Sequence, residues 1–244
     1  MKSYFELRNV APSSYADYEV PRWLQAELAK LHKDVKILDF GCGFGQLIGS
    51  LQRSGFTAVE GADVDDAAIA SCRSSGYVVH NLVADPKFYA VHRGSFDVIV
   101  SQHVLEHIPK DMVIGVVEKL RSLLVSGGVF LIAVPNAQAF TGAYWAYEDF
   151  THHTLYTSGS IYYVIAAAGF DDIKFLDIDC TTGLSLLKRL FRRSIWVCYR
   201  RLYLTMCRVM ASETHIASPD IFSYEIKVAA KFAGAQDGVI RSRH

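Results

Sequence analysis

Apolar positions recur along the chain at two spacings, and their alternation predicts the architecture. Residues 17–32 (DYEVPRWLQAELAKLH) bring Trp23, Leu24, Leu28 and Leu31 near one face of a helix. The run VKILDF that follows is short, apolar and closed by glycines, as a strand buried on both faces should be. Further helices are predicted near 45–54, 65–74, 111–124 and 158–168, the third closed by Gly127-Gly128. Strands are predicted at 57–62, 77–81, 96–101, 129–134 and 171–178. This alternation implies a doubly wound, mainly parallel α/β sheet covered on both faces.

Residues 184–210 break the rhythm with a long basic amphipathic stretch, and 223–233 (SYEIKVAAKFA) restore it as a last strand. The tail GAQDGVIRSRH reads as loose. The expected organisation is one domain with four parts: a helical cap at 1–34, an α/β core at 35–182, a helical insertion at 183–222, and the last strand and tail at 223–244.

Composition adds few constraints. Half the residues are hydrophobic (51%), which suits a sizeable core, and 25 basic residues balance 25 acidic ones, so overall charge selects no partner. Five scattered cysteines without a CxxC pair read as reduced thiols of a cytosol-like compartment. MKSYFELRNV carries no secretory apolar region, and no apolar run is long enough to span a bilayer.

The first predicted strand ends in Asp39 and turns through Gly41, Gly43 and Gly45. Open α/β sheets bind ligands at such strand ends, and glycines let a ligand approach the backbone. A dinucleotide fingerprint fails because Gln46 stands at its third position. An acid two residues before GxGxG suits a ligand without phosphate and with a cationic end, which Asp39 would satisfy directly or through water. Asp63 ends the second strand, placed for two ribose hydroxyls, with Val64 beside the adenine. Asp85, or Asn81, follows the third strand near the adenine edge, and Gln102 ends the fourth. The alternative for all these acids is helix capping, which is preferred for Asp65 and Asp66.

Four segments in this order, VKILDFGCGFGQL, GADVDD, SFDVIVSQHVLEHI and GGVFLIAVPN, resemble the class I methyltransferases over roughly residues 35–178. The resemblance implies S-adenosylmethionine as cofactor and a seven-stranded sheet with a reversed last strand, for which 223–233 is the candidate.

His103, Glu106 and His107 would share one side of a helix. The HxxEH pattern also occurs in zinc peptidases, but here it follows a nucleotide-type strand and lacks their third ligand. The segment either shapes the cofactor pocket or, by similarity to ubiquinone-pathway O-methyltransferases, holds a divalent metal. Those enzymes carry an acid where His103 stands, followed by the Leu-Glu-His matching 105–107, so nitrogen-tolerant ions are implied. The second polar cluster is EDFTHH at 148–153. His152, His153 and His107 are the candidates for moving a hydroxyl proton, with His152 preferred because Thr151-His152 matches the related loop. Their alternative is a local bond to backbone. Tyr144, Trp145, Tyr147 and Tyr156 nearby suit a sugar face, an aromatic ring or plain core.

From Lys188 to Arg208 there are seven basic residues and no acid. This helix could lie on an anionic membrane, which would place the protein peripherally on the inner membrane face. Alternatively it packs on the domain or a second subunit, or closes over an anionic acceptor. The leading expectation is an O-methyltransferase acting on a sugar hydroxyl of a bacterial surface polysaccharide or its precursor, helped by resemblance to glycan-pathway enzymes. The alternatives are metal-assisted methylation of a phenol or quinone precursor, and a non-catalytic interaction module. Nucleic acid is disfavoured because neither an Asn/Asp-Pro-Pro-aromatic motif nor a Pro-Cys pair occurs.

Overall fold

A computed structural model describes residues 4–15, 17–212 and 220–234. The tail expected to be loose lies, from 235 onward, outside the described residues. In chain order the elements are α1 (Tyr4–Leu7), α2 (Arg22–Leu28), β1 (Ile37–Phe40), α3 (Gln46–Arg53), β2 (Val59–Asp63) and α4 (Asp66–Ser74). Then come β3 (Val78–Asn81), α5 (Phe88–Val91), β4 (Phe96–Gln102), α6 (Val113–Leu123), β5 (Leu124–Pro135) and α7 (Gly142–Glu148). The last are α8 (Ser158–Ala167), β6 (Asp172–Leu176), α9 (Leu186–Val209) and β7 (Glu225–Lys231).

The strands form one sheet in the order β3-β2-β1-β4-β5-β7-β6. β1 to β5 pair in parallel, and β7 runs antiparallel between β5 and β6. The reversed last strand is therefore present where the resemblance implied it. Strand alternation sends Leu38 and Phe40 into one apolar layer with α6 and α8, and Ile37 into the other with α2 and α3. Burial on both faces explains why β1 reads as an unbroken apolar run apart from Asp39. The chain order reverses between β1 and β4, so their carboxyl ends open a crevice there.

Two expected boundaries move. The helix expected over 17–32 is confined to Arg22–Leu28, beginning just after Pro21, whose missing N–H is harmless only at a helix start. β5 begins at Leu124, directly at the end of α6, so Gly127-Gly128 lies inside the strand. Gly127 takes φ +82° and donates its N–H to the Phe232 carbonyl, while the pairing with β4 skips from Leu124 to Val129. The glycines thus make an irregularity in the strand where a loop was expected.

Candidate active site

A cavity of about 720 Å3 occupies the crevice, walled by the ends of β1, β2 and β4 and by the loops after β3, β4 and α7. Gly41, Gly43, Asp63, Val64 and Gln102 all reach its wall. Gly41 adopts φ +79°, and a Cβ there would sit 2.3 Å from Cγ2 of Val104, so only glycine fits. The Asp63 carboxylate accepts from the backbone N–H of Gly43 (2.8 Å), Val64 (2.7 Å) and Asp65 (2.9 Å). These bonds fasten the glycine turn to the end of β2. Burial, and then the Asp63 charge, push the Asp39 carboxyl up to about 8.

Three expected cofactor residues lie off the cavity wall. Asp39 is buried beneath the turn and is not part of the cavity wall. Gly45, at φ +77°, also lies off the wall; a Cβ there would meet the Tyr77 ring at 2.7 Å, so this glycine lets α3 start against Tyr77. Asp85 is exposed and caps the next turn through the Lys87 N–H, while Asn81 holds Asp66 and the N–H groups of Val83 and Ala84. Leu82 lines the cavity there instead. Asp65 caps α4 by accepting from the Ala68 N–H, as the capping alternative held, although it also borders the cavity.

Opposite the glycine turn stand Glu106, His107 and His152. The expected HxxEH helix is only a 3-10 turn, Leu105–His107. His103 precedes it in the left-handed region, at φ +54°, so its ring is thrown away from the position a helix would give. It lies instead between Glu106 (Nδ1 to Oε1, 3.4 Å) and Glu225 of β7 (Nε2 to Oε2, 3.2 Å). Burial opposes protonation of His103, but these two carboxylates outweigh it and raise its pKa. Glu225 in turn faces Lys227, whose ammonium also meets Asp177 at 3.0 Å.

Glu106 is fully buried, and apart from the 3.4 Å ion-pair contact of Oε1 with His103 its carboxylate oxygens make no hydrogen bond among the described residues. Its oxygen and one ring nitrogen each of His107 and His152 lie within 4.8 Å of one another. The ligand-capable triad therefore takes His152 in place of His103. His152 shares an Nδ1 hydrogen bond of 2.7 Å with the Trp145 carbonyl, which requires Nδ1 to carry the proton. In the neutral ring Nε2 is then an acceptor. Burial lowers the His107 pKa, which disfavours the charged ring. His153 does not take part: its side chain is exposed, off the wall, and only its N–H is used, bonding the Glu106 carbonyl.

Residues from the amino-terminal segment complete the cavity, and the sequence patterns gave them no role. Tyr4, Phe5, Arg8, Tyr15 and Tyr18 line it. Phe5 packs on Phe44 and lies 3.3 Å from where a Gly43 Cβ would be, while the Tyr4 hydroxyl donates to Asp149 at 2.6 Å. This segment bridges the glycine turn and the His152 loop. Its aromatic residues follow no helical or strand period, so the only available signal was their density.

The sequence profile of the family described as a methyltransferase domain matches residues 13–175. The chain belongs to that methyltransferase family. Its fold agrees with solved class I enzymes. A SAM-dependent methyltransferase from Archaeoglobus fulgidus superposes with a TM-score of 0.64 at 16% identity, covering 94% of this chain and 100% of that one. One from Mesorhizobium loti gives 0.53 at 16% identity, covering 86% and 97%. Among curated relatives, a ubiquinone biosynthesis O-methyltransferase of Thiobacillus denitrificans is 32% identical over 123 residues, 48% of this chain and 51% of the relative. Its counterpart in Paramagnetospirillum magneticum is 34% identical over 116 residues, covering 46% and 45%. The matches thus span about half the length of these relatives.

The methyltransferase uses S-adenosylmethionine, and the cavity fits it. Gly41 leaves room that a side chain would fill, Asp63 presents a carboxylate at the strand end, and buried Asp39 is poised to ionise beside a cationic group. The bound cofactor supplies a methyl group already activated on a sulfonium.

Proposed function

We propose that this methyltransferase acts on a hydroxyl oxygen, with His152 accepting the hydroxyl proton at Nε2. The observation that carries the reading is the Nδ1 bond of His152 to the Trp145 carbonyl, which leaves Nε2 as the acceptor on a residue of the cavity wall. Because the transferring methyl is already activated, the chain mainly has to orient the acceptor and remove its proton. Removing such a general base costs about 10²–10⁴ in rate. His152→Ala should therefore lower kcat by about that range and leave cofactor affinity within twofold; normal turnover would exclude the assignment.

For the acceptor we favour a phenol of the quinone-precursor type. Aromatic walls from Tyr4, Tyr18, Trp145 and Tyr224 suit a flat ring, and the curated relatives are named for ubiquinone biosynthesis. A sugar hydroxyl of a surface polysaccharide is the competing acceptor. It drew support from the basic helix, but α9 contributes no residue to the cavity wall. Turnover of catechol-type acceptors against free and nucleotide-linked sugars separates the two.

A metal-assisted version has its own support in Glu106, a buried carboxylate that pairs with His103 without a geometric hydrogen bond and lies beside the imidazoles of His107 and His152. Glu106, His107 and His152 would hold the ion, which would polarise the acceptor hydroxyl. Activity abolished by chelation and restored by a divalent ion would establish it, whereas activity indifferent to chelation would leave His152 as a plain base. The peripheral membrane contact is likewise a proposal. Among the described residues no helix is long and apolar enough to cross a membrane.

A further inference from the structure

Away from the crevice, β2, β3 and α5 bring together a second set of ligand-type side chains. Parallel pairing sets Glu60 opposite Val78 and Ala62 opposite His80, so Glu60 and His80 are diagonal neighbours on one face of the sheet. His80 Nε2 lies 2.8 Å from Glu60 Oε2. The chain then folds back through α5, anchored by fully buried Phe88, and His92 caps that helix. The His92 ring is thereby set over His80, with centroids 4.7 Å apart. One ligand atom each from Glu60, His80 and His92 falls within 4.8 Å of the others.

We propose that Glu60, His80 and His92 form a binding site for a zinc-like divalent cation, separate from the methyl-transfer site. Two imidazoles and one carboxylate are a donor set for borderline ions, and three protein ligands leave a position for water. Two further features favour a ligand over a simple ion pair. Neither ring nitrogen of His92 has a hydrogen-bond partner among the described residues, so a donor is left over once Glu60 and His80 have paired. Lys36 binds the other Glu60 oxygen, Oε1, at 2.8 Å, which orients the carboxylate so that Oε2 faces His80, where an ion would replace the direct contact between the two. All three side chains are only half-buried, so solvent can deliver one. An ion there would tie the end of α5 to β2 and β3 and close the loop containing Leu82, which lines the cofactor cavity.

The test uses tag-free chain with ZnCl2, and with MgCl2 as the ion such a nitrogen-rich site should refuse. Thermal unfolding and calorimetric titration are followed for the wild type, His92→Ala, Glu60→Gln and, to remove the crevice triad, His152→Ala. Zinc near a hundredfold excess over its Kd should raise the Tm by several degrees. That rise should persist in His152→Ala, and adding His92→Ala or Glu60→Gln to that variant should abolish it, with one binding event lost from the titration. His92 is a half-exposed cap, so its variant should fold, and its unchanged Tm without zinc checks this. A zinc response equal in His152→Ala with and without His92→Ala, or no response in either, overturns the proposal. The crevice triad can fail as a metal site without altering this outcome.

Discussion

At Asp39 the protein holds a carboxyl protonated near neutrality because burial and a second carboxylate both disfavour its charge. A cation bound nearby reverses the second effect, so binding and ionisation are linked. S-adenosylmethionine binding at pH 7 should release a fraction of a proton, visible as a dependence of calorimetric enthalpy on buffer. Affinity should rise as pH increases towards about 8 and level off above it, since the proton no longer has to be displaced. In Asp39→Asn both dependences should vanish; if they persist, another group is titrating. Asp63 is different, because its three backbone bonds hold the glycine turn before any ligand arrives. Asp63→Ala should weaken cofactor binding by about 1.5–3 kcal/mol, the range for hydrogen bonds to a charged group. Asp63 was legible because it ends its strand on the cavity wall, whereas Asp39, one residue short of the end of β1, is buried off that wall. His103, His153 and Asp85 were misplaced because their orientation depends on partners distant in sequence, a left-handed backbone or a local turn. No spacing within QHVLEH announces that Glu225, on β7, will draw the ring of His103 aside.

Among the elements, period and burial made β1, β2, β4 and the helices α3 and α4 readable to within a residue or two, since each packs on a sheet with both faces covered. Exceptions occur where backbone chemistry overrides periodicity: Pro21 shortens α2, and the glycines of β5 bend a strand without ending it. Gly45 shows how a motif position can serve the element and not the ligand. Gly45→Ala forces an alanine to φ +77° against Tyr77, at a cost of about 1–3 kcal/mol for the backbone alone. Its Tm should fall, while cofactor affinity of the folded fraction stays near wild type because residue 45 is off the cavity wall. Loss of affinity at full folding would return Gly45 to the binding site. Thr157 and Ser160 form a capping box at α8, the helix that buries Ile161 and Ile165, so Thr157→Ala should cost about 1 kcal/mol in unfolding experiments.

On the scale of the whole molecule, α9 stands apart from the rest of the architecture. Its 24 residues include none that is buried, and Leu187, Phe191, Ile195, Leu202, Met206 and Val209 are all exposed. Arg193 and Arg200 tie it to Asp179 and Asp220, while Lys188, Arg189, Arg201 and Arg208 have no ion pair among the described residues. On the proposed membrane contact, the open apolar stripe and the unpaired cations would face an anionic bilayer surface. Each cation near such a surface contributes about 1 kcal/mol. Changing Lys188, Arg189, Arg201 and Arg208 to Gln should therefore weaken cosedimentation with phosphatidylglycerol vesicles by at least about tenfold. Binding to neutral vesicles should be weak in both proteins, and salt should erode the wild-type advantage. Because none of the four lines the cavity, turnover of a soluble acceptor should stay unchanged, which separates membrane docking from catalysis. Equal sedimentation of the two proteins would assign the stripe to a protein surface, and a concentration-dependent dimer in solution would identify that surface as a second copy of the chain.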